Sequence, residues 1–248
     1  MATRLKLILW LVRKVFYIWL KTKTIENLFV ILHYVSGILT IITFLIFIKT
    51  LLKETSVAFL TLYILLDLLL NYYNRNIDEG WFSYIWSTFT FVEYSIFTYF
   101  LWVNIKNKNI KSFLFYASIV FIVFTTAYNI KTNFQKIDSL PIGIETILII
   151  VYSFYYLYEQ LNDTSNFFIY TKYQFWIIIG FLIYLAGSFF IFIYASKLAN
   201  DNSFKKYWFI TNGFYAVMNI LFIIAFCMRA KNKKPKKTSL KHSYPSLN

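Results

Sequence analysis

The chain holds one cysteine, Cys227, and two histidines, His33 and His242. One thiol cannot make an intrachain disulfide, and the three side chains are too few for an ordinary zinc site. Haem held by two axial histidines needs a second histidine inside an apolar run, and the sequence has none. The patterns G-x-x-x-x-G-K-[ST], H-E-x-x-H and G-x-S-x-G are missing, so the phosphate loop, the zinc-protease helix and the nucleophile elbow are excluded. The last apolar run has no lysine for a retinal Schiff base. Six glycines and three prolines exclude a collagen repeat and mark no pair of broken helices of the transporter kind. Charged residues are 15% of the chain, against about 25% in a soluble domain. No metal, no cofactor and no catalytic residue is expected.

What is there is apolar. Hydrophobic residues make up 59% of the 248 positions, and mean hydropathy is +0.57. One soluble core cannot hide that much apolar surface. Crossing about 30 Å of hydrocarbon takes about 20 mainly apolar residues as a helix. Seven stretches qualify: Leu28–Lys49, Thr55–Asn74, Trp81–Val103, Ser112–Ile130, Pro141–Leu161, Tyr173–Ala195 and Tyr207–Cys227. They are continuous rather than alternating, which specifies helices and not barrel strands. The expected fold is all-α: a polytopic membrane bundle of seven transmembrane helices, preceded by an N-terminal interfacial amphipathic helix. Residues 1–24 form that basic amphipathic segment, 25–229 the bundle, and 230–248 a basic, disordered cytoplasmic tail. Arg13 and Lys14 interrupt the first apolar stretch, so it is read as uncleaved and lying on the membrane, with an eighth span as the alternative.

The net charge of +14 follows the topology, because Lys and Arg gather between the runs and at both ends. No nucleic-acid partner is expected. The tail, with Lys233, Lys234, Lys236 and Lys237, is expected on the cytoplasmic side, against anionic lipid headgroups. Seven spans then put the N-terminus outside. Lys49, Lys53, Lys106, Lys108, Lys111 and Lys172 fall on the inner side with the tail. The expected location is the bacterial cytoplasmic membrane. Trp81, Trp102, Trp176 and Trp208 fall near span ends, as an interfacial belt requires.

Ionisable groups at bilayer depth are costly and turn inward. Asp67, Glu93 and Glu145 are the acids in question. Tyr63, Asp67 and Asn71 form a row four residues apart, one helical face. Glu145 begins a stripe through Tyr152 and Tyr156 to Glu159, and the seventh span carries Asn212, Tyr215 and Asn219. These residues predict a polar, aromatic-lined cavity between the second, third, fifth and seventh spans. Its ligand-binding residues are Asp67, Asn71, Glu93, Glu145, Tyr152, Asn212, Tyr215 and Asn219. The competing expectation is that the acids only hydrogen-bond neighbouring helices as packing. His33 is expected to be a satisfied core histidine. Gly180, Tyr184, Gly187 and Ser188 are expected to serve helix packing.

The seven-span layout is similar to the seven-helix sensor regions of bacterial receptors. That likeness of architecture implies a non-enzymatic receptor that binds a small ligand and signals through a separately encoded partner. A small transporter or channel using the three acids is the alternative. A lipid-modifying enzyme embedded in the membrane, with two acids as acid and base, comes third.

Overall fold

A computed structural model describes residues 25–48, 55–73, 79–132, 139–163, 168–198 and 204–232. The N-terminal segment and the lysines of the tail lie outside the described residues. The rest is helical: α1 (Ile25–Phe47), α2 (Thr55–Tyr73), α3 (Glu79–Asn104), α4 (Lys108–Thr132), α5 (Ser139–Leu161), α6 (Tyr173–Leu198) and α7 (Phe204–Asn232). A single 3-10 turn, Ile169–Thr171, precedes α6. Each of the seven apolar stretches forms one helix. In hydrocarbon the backbone must satisfy its own hydrogen bonds, and a helix does so within one segment. Four helices are long and apolar enough to cross a membrane by themselves: α4, most of α5, and the stretches Tyr173–Ile193 of α6 and Ile210–Arg229 of α7. The fold is a multi-pass helical membrane bundle.

The helix ends carry the expected chemistry. Asn107 caps α4: its Oδ1 accepts from the Asn109 amide at 2.9 Å. Pro141 stands in the first turn of α5, where no intrahelical donor is needed. α7 continues to Asn232, beyond the expected limit of the bundle.

Neighbour contacts run α1, α2, α3, α5, α6, α7 and back to α1, closing a ring. α3 also meets α6 across it, while α4 lies outside against α3 and α5. The buried residues of α4, Leu114, Phe121, Thr125 and Asn129, make one narrow stripe. Phe113, Phe115, Tyr116, Val120 and Val123 are exposed, a surface suited to acyl chains as solvent. Polar ties hold α4 in place. Asn129 donates to Ser87, and Tyr94 lies 3.0 Å from Ser118.

One end of the bundle is basic. Lys106, Lys108, Lys111, Lys172 and Arg229 gather there, where α3, α5 and α7 finish and α4 and α6 begin. Arg229 is buried, its guanidinium 5.4 Å from the Tyr173 ring centroid. Glu159, near the end of α5, accepts from the backbone amides of Lys106 at 2.7 Å and Asn107 at 2.8 Å. Lys106 Nζ donates to Asp163 at 2.5 Å, and that bond and charge raise the lysine's pKa. The raised value means that this small, screened contribution is complete below the ordinary lysine range, near about 10.4, and is lost as pH climbs past the folded value. The carboxylate of Glu159 matters more, because it takes two donors at once. A hydrogen bond to a charged group contributes about 1.5–3 kcal/mol when sheltered and less when wet. Glu159→Ala is expected to speed hydrogen exchange at the amides of residues 106 and 107 about tenfold, as a loss of about 1.4 kcal/mol implies. Unchanged exchange there would show that water replaces the carboxylate without loss.

Candidate functional site: a buried acid centre

Asp67 and Tyr63 stand one turn apart on α2 and reach different helices. Tyr63 donates to Glu93 Oε1 of α3 at 2.9 Å. Tyr215 of α7 donates to Asp67 Oδ2 at 2.6 Å. One turn further along α7, Asn219 Nδ2 donates to Thr40 Oγ1 of α1 at 3.3 Å and to the Tyr215 carbonyl at 3.1 Å. Thr40 spends its own proton on the Ser36 carbonyl, at 2.9 Å, so its oxygen is available to accept. Tyr184 of α6 sets its ring edge-on to Tyr215, centroids 5.5 Å apart. It lies within electrostatic reach of Asp67, Glu93 and Glu145. Glu145 of α5 is 2% exposed and close enough to Glu93 to interact with it. Its Oε1 has no hydrogen-bond partner among the described residues.

Six helices therefore contribute to one polar centre, and three of them bring a carboxyl. Tyr63, Glu93, Tyr184, Tyr215 and Asn219 are buried, and Asp67 is half-buried. The donors to Glu93 and Asp67 named above are phenols, those of Tyr63 and Tyr215. None of the seven spanning stretches contains a Lys or Arg at mid-span. Negative charge at such a place needs protons or an incoming cation to balance it.

Not every residue expected in this site is placed in it. Asp67, Glu93, Glu145, Tyr215 and Asn219 come together. Asn212 is half-buried one turn before Tyr215. Asn71 is on α2, but its side chain lies outside the described residues. Tyr152 is buried beside Tyr94, toward α4, at a different level of α5. His33 is exposed on α1, not in the core, because the inward face of that helix runs through Ser36, Thr40, Thr43 and Phe47. Tyr63, Tyr184 and Thr40 are further members of the centre. The signal for Tyr184 was its spacing from Gly180 and Gly187, which puts all three on one face.

Phenylalanines of α1, α3, α6 and α7 border the centre on the side of the basic end. Phe97 lies one turn from Glu93 in that direction and stacks on Phe181 at 3.9 Å between centroids. Phe181 meets Phe222 at 5.8 Å, and Phe222 meets Phe47 at 6.2 Å. All four rings are buried. The half-buried positions, Asp67 and Asn212, lie on the opposite side.

Fold and site thus define a class: a multi-pass helical membrane protein with an acidic, tyrosine-lined interior. Comparison with protein-family models, with curated proteins and with solved structures finds no match.

Proposed function

We propose that this chain is a seven-helix membrane receptor whose acid centre binds a small organic cation and signals through a separately encoded partner. The observation that carries the reading is the convergence of Asp67, Glu93 and Glu145 from three helices, with no mid-span Lys or Arg to match them. A bound ammonium group supplies the missing charge. The rings of Tyr184 and Tyr215 suit it, since aromatic faces attract cations. The phenylalanine layer favours binding over passage, because it sets apolar rings between the centre and the basic end on α1, α3, α6 and α7. In this reading the basic end is cytoplasmic, as the distribution of Lys and Arg favours, and the ligand enters from the other side.

The test is calorimetric titration of the purified protein with a panel of primary and quaternary amines. Binding is expected, and Glu93→Gln or Asp67→Asn is expected to weaken it at least tenfold, with unfolding temperatures within a few degrees of the parent. The loss corresponds to about 1.4 kcal/mol or more. No binding by any amine, together with proton or cation flux in liposomes, overturns the reading in favour of a transporter.

A further inference from the structure

Between α3 and α4, toward the basic end, runs a groove of about 340 Å³ that opens on the lipid face of α4. Its walls include Tyr94, Ser95, Trp102, Phe115 and Ser118, and Thr98 lies among them. The hydroxyls of Thr98, Thr125 and Thr211 have no partner among the described residues, and of these three Thr98 is the one in the wall of this groove. Thr40, Thr43, Thr61, Thr88 and Thr146 each donate back to the carbonyl four residues earlier. Thr98 Oγ1 has no partner among the described residues, although the residue is only 6% exposed. A hydroxyl without a partner in the wall of a groove can take an acceptor from outside the chain. One turn above it, about 6 Å along the helix, Lys111 holds its ammonium 5.1 Å from the centroid of Trp102. Lys108 stands one turn before Lys111 on α4.

The vertical order is therefore cation, indole, hydroxyl, then apolar wall. A phospholipid repeats that order in complement: phosphate, interfacial glycerol, ester carbonyl, acyl chain. We propose that this groove holds one chain of an anionic glycerophospholipid, with its phosphate on Lys111 and Lys108 and an ester carbonyl accepting from Thr98. The paired lysines at the mouth select an anionic headgroup over a zwitterionic one. The site is distinct from the acid centre and depends only on the chain being embedded in a membrane.

The experiment uses the full chain in bilayer discs containing either phosphatidylglycerol or phosphatidylcholine with brominated acyl chains, at equal mole fraction. Bromine quenches tryptophan by contact, and the share due to Trp102 is the difference from Trp102→Phe. Quenching of Trp102 is expected to be at least twofold greater with the brominated anionic lipid. That excess is expected to vanish in Lys108→Ala/Lys111→Ala, a surface change that leaves the fold intact, and in Ser95→Leu, which fills the groove. Inorganic phosphate at millimolar concentration is expected to leave the quenching unchanged. Equal quenching by the two lipids, an excess that survives loss of both lysines, or displacement by free phosphate would each overturn the proposal.

Discussion

Glu145→Met is expected to make the protein more stable and to abolish amine binding. Glu145 is 2% exposed, and its Oε1 meets no donor among the described residues. It also lies close enough to the carboxyl of Glu93 to interact with it. An unsatisfied buried polar atom costs about 1–3 kcal/mol, and a methionine of similar length removes that cost without leaving a cavity. The expected gain is about 1–3 kcal/mol, read as a rise of a few degrees in unfolding temperature. Glu145→Gln keeps a polar atom in the same place and is expected to gain less. Binding suffers in either case, because a third of the acid set is gone. A centre kept only as packing between helices predicts the reverse: stability falls and no ligand is lost. Calorimetry on the two variants separates the cases.

Gly187→Leu is expected to destabilise the bundle by about 1–3 kcal/mol, the range for overpacking. A Cβ built on Gly187 falls 2.5 Å from three carbons at the root of the Phe214 ring, so no flexible tip can give way. Gly180 makes a second close approach on the same seam, with Phe222 at 3.1 Å. α6 and α7 share the most extensive contact between helices in the bundle. Lipid removes the hydrophobic drive between helices, so association depends on how closely the backbones approach. Leucine at 187 moves the helices apart or expels the ring, and Tyr184 and Tyr215, on the same two helices, separate with them. Gly37→Ala serves as the control. Nothing lies within 4 Å of its added Cβ, and a helical Gly→Ala change gains up to about 1 kcal/mol. Equal melting of Gly187→Leu and the parent would show that Phe214 repacks freely.

The seven helices were legible because each apolar run is long and continuous. The convergence of the three acids was legible from energy alone, since a carboxyl in hydrocarbon has to turn inward. Periodicity reports a face and says nothing about the neighbour that stands at each level. Glu145 and Tyr152 are seven residues apart and share a face of α5, yet about 10 Å of helix separates them. One meets Glu93, the other meets Tyr94, and Glu159 reaches a connecting loop. The outside position of α4 could not be read either, because the order of helices around a ring is set by contacts between distant segments. His33 misled because one polar residue carries no phase. Ser36, Thr40 and Thr43 together do carry it, and they mark the inward face.

The four buried phenyl rings, of which Phe97 and Phe181 are stacked, put apolar bulk on one side of the carboxyls. If the receptor reading holds, such a layer would favour exchange of protons and solutes with the compartment on the other side. Occupancy would then follow the composition of that compartment more than that of the other. A variant that replaces Phe97 or Phe181 with serine would be expected to turn a one-sided gauge into a leak.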